Sequence, residues 1–278
     1  MSISTLVSSG WLNQNLANPN LIILDATLAK PKSAGEVPSK EVQIPGALFF
    51  DIDGVFSDTS IDLPHMMCDK PQFEMETRKL GINTNSIVII YDNHGVYSAP
   101  RAWWMFKSMG LEQVAVLNGG LPEWVENGFP TESKERLERP EGQFEPNLNK
   151  SCFVSSEYVL AQISNPEAVV LDARSNGRFI ATEPEPRAGL RGGHIPNSIN
   201  LPFTKVIDGY RMREVDELWN VFDAINIQDK KLIFSCGSGL TACIILLAAY
   251  LVGYRNLAVY DGSWSEWGQP SNLPVATN

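Results

Sequence analysis

Cys236 opens the run Cys236-Gly237-Ser238-Gly239-Leu240-Thr241-Ala242, between the apolar triplet Leu232-Ile233-Phe234 and an apolar stretch over 243–252. A cysteine between a short buried strand and a buried helix, with two glycines that let the loop curl, holds its sulfur where backbone N–H groups converge. Amides and a helix N-terminus both stabilise negative charge, so this spacing favours a thiolate nucleophile or an anionic persulfide. A structural cysteine sits instead inside a helix or strand, which is the reading for Cys243. Cysteine phosphatases use a similar amide cradle, but their signature has arginine six positions after the cysteine. Here that position, 242, is alanine.

A second group could receive an anion. Arg174-Ser175-Asn176-Gly177-Arg178-Phe179 is followed by Glu183-Pro184-Glu185-Pro186-Arg187. Arginine's planar fork matches a carboxylate with two bonds, so Arg178 and Arg187 on one ordered segment can grip a small keto acid. Equally, either can pair with Glu183 or Glu185, and the residues alone leave both readings open. His65, after Pro64, reads by itself as a surface or core residue. His94, in Asp92-Asn93-His94-Gly95, reads as part of a loop with no chemistry.

The Cys236 loop resembles the active-site loop of the rhodanese superfamily, and its Cys-Gly-Ser-Gly form is similar to that of the 3-mercaptopyruvate sulfurtransferases. Thiosulfate sulfurtransferases of the same fold typically carry Cys-Arg-Lys-Gly. The resemblance extends through 49–65, 172–202 and 261–267 and, more weakly, over nearly the whole chain. It implies that Cys236 carries the sulfur, with Gly237, Gly239, Leu240 and Thr241 completing the binding loop. It also implies that Arg178 and Arg187 hold the carboxylate and keto oxygen of 3-mercaptopyruvate. Phe49-Phe50-Asp51-Ile52-Asp53 and Asp62-Leu63-Pro64-His65-Met66 resemble the family segments that bring an aspartate and a histidine to the cysteine and the loop serine. Carried over, these are Asp53, His65 and Ser238, a set able to move a proton. The implied acceptors are cyanide or a small thiol, with thioredoxin as a reductant, and no cofactor is implied. Two departures are visible: Leu240 replaces the usual valine, and Gln43 stands where the family often has histidine before Ile-Pro-Gly. The second half keeps His194 at that place.

Composition limits the alternatives. The 278 residues are 44% hydrophobic, enough for one large domain or two ordinary ones. No apolar stretch approaches the ~20 residues of a membrane span, and Met1-Ser2-Ile3-Ser4-Thr5 lacks the character of a signal peptide, so the expected location is the cytoplasm. A net charge of -10 argues against nucleic acid as a partner. The four cysteines and three histidines have no zinc spacing, so no metal is expected, and nothing gives Cys68 or Cys152 a role.

The elements that must position these groups occur twice. Leu24-Asp25-Ala26 recurs as Leu171-Asp172-Ala173, Ile44-Pro45-Gly46-Ala47 as Ile195-Pro196-Asn197-Ser198, and Val114-Ala115-Val116-Leu117-Asn118-Gly119 as Leu257-Ala258-Val259-Tyr260-Asp261-Gly262. The repeat distance stays at roughly 143 to 151 positions, the mark of a duplication. It sets Asp92 against Cys236, so only the second half has a nucleophile. The expected organisation is an inactive domain over 1–130, a Glu/Pro/Asn-rich linker over 131–150, and a catalytic domain over 151–278. Within each half, short Val/Ile/Leu runs alternate with helical patterns, which predicts an α/β fold with a mainly parallel sheet flanked by helices. Gly110 and Gly253 are expected helix stops. Trp103 and Trp104 are expected on a helix in the first core, and Trp264 and Trp267 as packing, with Trp264 also a candidate for a pocket mouth.

Overall fold

The computed structural model describes residues 3–28, 42–134 and 139–277. The chain divides into two compact units. Unit 1 takes in the described residues up to 58, then 68–149 and 209–212, and unit 2 takes in Thr59–Met67, Lys150–Asp208 and Arg213–Asn278.

Unit 1 runs β1 (Leu6–Val7), α1 (Ser9–Asn15), β2 (Leu21–Asp25), β3 (Val42–Gln43), β4 (Leu48–Phe49), α2 (Lys70–Lys79), β5 (Ile87–Tyr91), α3 (Ala99–Ser108), β6 (Val114–Leu117), α4 (Gly120–Glu126) and β7 (Glu132–Ser133). Its main sheet has the order β1-β6-β5-β2-β4 with all neighbours parallel. Unit 2 runs β8 (Phe153–Val154), α5 (Ser156–Gln162), β9 (Ala168–Asp172), α6 (Asn176–Phe179), β10 (Ile199–Asn200), β11 (Ile207–Asp208), α7 (Val215–Asp223), β13 (Lys231–Ser235), α8 (Ala242–Leu251), β14 (Leu257–Tyr260) and α9 (Ser263–Trp267), while the intervening β12 (Arg211–Met212) falls in unit 1. Its sheet, β8-β14-β13-β9-β10, is also parallel throughout, so the two units share one strand order. The α/β architecture read from the alternating runs is the one observed.

The central strands are apolar on both faces because helices cover both sides. In β13, Leu232, Ile233 and Phe234 are fully buried, and in β5 Ile89, Ile90 and Tyr91 are. The helix that follows β13 has no polar face. Every residue of α8 from Ala242 to Ala249 is buried, because α8 packs on β13 and β14 and under α7. Gly110 and Gly253 follow α3 and α8 with φ of 84° and 101°, the left-handed turn that ends a helix and suits glycine. Trp103 and Trp104 lie buried on α3, as the sequence suggests.

Two connections go beyond the sequence pattern. Part of the stretch read as a linker, 139–149, runs along unit 1: Gly142 N–H donates to Arg78 (2.8 Å), Phe144 N–H to Ile82 (3.0 Å) and Asn147 N–H to Met109 (2.8 Å). The first-half segment Thr59–Met67 groups with unit 2, where Met67 N–H donates to Asp261 Oδ2 at 2.8 Å. No helix among the described residues is long and apolar enough to cross a membrane.

Candidate active site

The strand β13 delivers Cys236 to the carboxyl end of a parallel sheet, where open α/β sheets bind ligands. Cys236 is buried, and Gly239 takes φ of 74°, which turns the chain from strand toward helix. At the helix start Thr241 makes no side-chain cap. Among the described residues the N–H groups of Gly237, Ser238, Gly239, Leu240, Thr241 and Ala242 donate to no acceptor. Six backbone donors thus follow one cysteine, at the positive end of α8.

Unit 1 carries a loop at the matching place, one residue longer between strand and helix. Asp92 follows β5 as Cys236 follows β13, and its buried carboxylate fills the loop. Oδ1 accepts from His94 N–H at 2.8 Å, and Oδ2 accepts from Tyr97, Ser98 and Ala99 N–H at 2.8, 2.9 and 2.9 Å. Counted back from the helix starts at Ala99 and Ala242, the last three donors correspond to Leu240, Thr241 and Ala242. His94 is tied away by Nε2 to the Leu28 carbonyl, at 3.0 Å.

The short helix α9 holds the Cys236 loop from outside. Cys236 N–H donates to Ser263 Oγ (3.2 Å), and that hydroxyl donates to the Tyr260 carbonyl (2.9 Å). Trp264 N–H donates to the Cys236 carbonyl (3.0 Å), while the Gly237 carbonyl accepts both Ser265 N–H (2.8 Å) and Ser265 Oγ (2.6 Å). Ser263 has φ of 48°, left-handed and uncommon for a residue with a Cβ. Nothing in the Asp-Gly-Ser-Trp-Ser sequence announces this strap, since serine hydroxyls are ordinarily solvent groups. Trp264 and Trp267 pack in the unit 2 core as read, but Trp264 is wholly buried under Arg174, 4.1 Å from its guanidinium, so it lines no pocket mouth.

The arginine segment forms a graded charge chain. Arg174 is buried and bound to Asp172 (2.6 Å) and Glu185 (2.8 Å). Burial works against its charge, but Asp172 and then Glu185 outweigh that and raise its pKa. Glu185 also binds Arg178 Nη2 at 2.6 Å, whereas Glu183 is turned to Ser175 Oγ. The pairing alternative is therefore realised for Arg178. Arg187 is exposed and makes no ion pair among the described residues. Both guanidiniums face the cysteine loop: a Cβ at Gly237 would lie 3.2 Å from Arg178 Nη2 and 3.7 Å from Arg187 Nη1. His194 supports this segment from below, with Nδ1 2.8 Å from the Phe179 carbonyl and its ring stacked on Phe179 at 3.7 Å.

The other expected residues divide between the units. His65, at φ of 61°, lies on Thr59–Met67 and so belongs to the unit that holds Cys236. Asp53 is an exposed residue of unit 1, in a turn fixed by Gly54 N–H on Asp51 and by Phe50 stacked on Phe56. Gln43, the departure from histidine, donates to Ala47 and Glu132, a structural use. Cys243 sits within α8 and its Sγ meets the Gly239 carbonyl at 3.3 Å. Burial, with Asp69 beside it, pushes the Cys68 thiol up to about 12, so it is a neutral thiol at ordinary pH. No His/Cys/Asp/Glu group suited to a metal occurs among the described residues.

Two parallel α/β units of one topology, with a cysteine in an amide loop in one and a carboxylate in the other, define a duplicated fold whose two matching loops carry different chemistry. The chain belongs to the family of the rhodanese-like domain, whose model matches residues 8–127 and 155–270. It is 39% identical to 3-mercaptopyruvate sulfurtransferase of Escherichia coli (strain K12), over 99% of both chains. It is also 39% identical to a thiosulfate sulfurtransferase of Rattus norvegicus, over 94% of this chain and 91% of that one. The crystal structure of SseA from Escherichia coli, a 3-mercaptopyruvate sulfotransferase, superposes with a TM-score of 0.83 at 37% identity, covering 95% of this chain and all of the other.

Proposed function

We propose that this chain is a sulfurtransferase that takes sulfur from 3-mercaptopyruvate, carries it as a persulfide on Cys236 and passes it to cyanide or a small thiol, releasing pyruvate. The Cys236 thiolate attacks the mercapto sulfur, a sulfur–sulfur bond forms, and the carbon–sulfur bond breaks with its electron pair left on pyruvate as the enolate. The mercapto proton ends on the enolate carbon, so persulfide anion and pyruvate balance thiolate and donor. Ser238, with His65 and Asp53, is the proposed proton route, and Arg178 and Arg187 hold the carboxylate and keto oxygen. Gly237, Gly239, Leu240 and Thr241 supply amides to the persulfide. The acceptor removes the outer sulfur, and thioredoxin is a proposed reductant: its dithiol would release sulfide and close to a disulfide. The division into an inactive domain over 1–130, a linker over 131–150 and a catalytic domain over 151–278 belongs to this proposal, as does a cytoplasmic location.

The observation that carries the reading is the neutral Gly237-Ser238 pair beside two guanidiniums. A singly charged keto acid is met by Arg178 and Arg187, whereas doubly charged thiosulfate lacks the cationic loop residues that its enzymes carry. Each missing contact is worth ~1 kcal/mol, which favours the keto acid by roughly tenfold or more. Thiosulfate as donor stays the second reading because the rat thiosulfate enzyme is as similar as the bacterial relative. Turnover of both donors by one purified sample decides between them. Alongside, 3-mercaptopyruvate should add the mass of one sulfur to the Cys236 peptide, and Cys236→Ser should lose turnover while keeping its fold. Sulfur found on Cys68, Cys152 or Cys243 overturns the assignment.

A further inference from the structure

We propose that Ser263 and Ser265 are positioning residues for the sulfur centre, acting by turning the backbone amides of the Cys236 loop. In a planar trans peptide the carbonyl and the following N–H point in opposite directions. Trp264 N–H pulls the Cys236 carbonyl toward α9, so the Gly237 N–H turns away from α9 and into the loop. Ser265 pulls the Gly237 carbonyl the same way with both its N–H and its hydroxyl, so the Ser238 N–H turns inward as well. Ser263 Oγ takes the remaining amide, that of Cys236 itself, and fixes the start of the loop. Four hydrogen bonds thus set three consecutive backbone groups.

The duplicated unit supplies the comparison. With Trp124 matched to Trp267, α4 has Gly120, Leu121 and Pro122 where α9 has Ser263, Trp264 and Ser265. Unit 1 keeps one bond of the four, Leu121 N–H to the Asp92 carbonyl at 3.1 Å. Neither hydroxyl is present, and Pro122 has no N–H. Gly120 and Ser263 share the left-handed backbone, at φ of 53° and 48°, which glycine adopts freely and serine does not. Strain of this kind persists where the surroundings enforce it and is concentrated at working sites. The half with a permanent carboxylate uses the relaxed residue, and the half with the cysteine accepts strain and gains a hydroxyl on the nucleophile's own amide.

The inference rests on the persulfide chemistry proposed above, and it is tested by the pH dependence of Cys236 alkylation with iodoacetamide, read on the Cys236 peptide by mass spectrometry. Turnover of 3-mercaptopyruvate and melting temperature are measured alongside. Ser263→Gly, which copies the other half, should melt no lower than the unaltered protein, yet its alkylation curve should move to higher pH. Its alkylation at pH 7 and its kcat should fall about threefold to tenfold, the effect of one hydrogen bond. Ser265→Ala should move in the same direction, and Ser265→Thr, which keeps the hydroxyl, should restore the curve. If Ser263→Gly and Ser265→Ala both keep the original alkylation curve, the proposal is wrong, whatever happens to turnover. Failure of Ser265→Thr to restore Ser265→Ala also overturns it, since side-chain fit and not the hydroxyl would then matter. An unaltered protein that does not turn over 3-mercaptopyruvate, with the alkylation shifts intact, refutes the donor and leaves the positioning role standing.

Discussion

Arg178 and Arg187 reach the same glycine, one already paired and the other not. Glu185 already binds Arg178, while Arg187 has no ion pair among the described residues. An incoming carboxylate gains most from the charge that is not yet matched. Arg187→Met should therefore raise KM for 3-mercaptopyruvate roughly tenfold or more with kcat little changed, as expected for loss of a charge-assisted bond of ~1.5 to 3 kcal/mol. Arg178→Met should add a lower melting temperature, because Glu185, itself buried, loses one of its two arginines. Steady-state kinetics and thermal melts on the pair separate these effects, and an unchanged KM in Arg187→Met would mean that the carboxylate is held elsewhere. The sequence made both arginines visible but not this difference. Glu183 and Glu185 flank them alike, and only the fold buries the Glu185 side chain and turns Glu183 to Ser175.

The strand, loop and helix of β13 to α8 were legible because each is written in a single pattern: a buried apolar triplet, two glycines, then a run without a polar face. Its counterpart in unit 1 was equally visible through the repeat. Other features depend on contacts distant in sequence, and no local pattern contains them. The left-handed turn at Ser263, the bond from Met67 to Asp261 and the transfer of Thr59–Met67 to the second unit are of this kind. The Gly237 position is another. Its small size reads as loop curvature, yet in the structure the glycine also leaves room for two guanidiniums. Gly237→Ala should cost a fewfold in KM with little loss of stability, because the nearest atoms are flexible arginine tips. Gly237→Arg is the more telling variant. Combined with Ser238→Lys it supplies the two cationic contacts that thiosulfate lacks, each worth ~1 kcal/mol, so donor preference should move toward thiosulfate while turnover of the keto acid slows. An unchanged donor preference in the double variant would mean that loop charge does not set donor choice.

At the scale of the molecule, duplication puts groups of opposite purpose at matching depths. Deep burial raises the titration of Cys68 to about 12, and it also raises Tyr91, with Asp25 next to it, and Tyr260, with Glu266 next to it. Each of these groups keeps its proton in the folded state at a pH where the unfolded chain has lost it. Their contribution to stability is complete below the unfolded values near 9 to 10 and declines as pH rises toward the folded ones. Cys68 alone should cost ~1 kcal/mol between pH 9 and 10, the slope approaching ~1.4 kcal/mol per unit above that. Urea midpoints at pH 8 and pH 10 should show the decline, and Cys68→Ala should lower the midpoint at both values but flatten the slope. The other consequence of duplication concerns Asp92. From Cβ, its side chain runs two bonds to Oδ2, the same count that separates a cysteine Cβ from the outer sulfur of a persulfide. With its oxygen on the amides of Tyr97, Ser98 and Ala99, Asp92 is an anion held in the way the proposed persulfide on Cys236 would be held. Cys236→Asp should then give a catalytically dead protein locked in the charged shape, melting above Cys236→Ser. A lower melting temperature for Cys236→Asp would mean that the two loops, which differ by one residue in length, are cut to fit different anions.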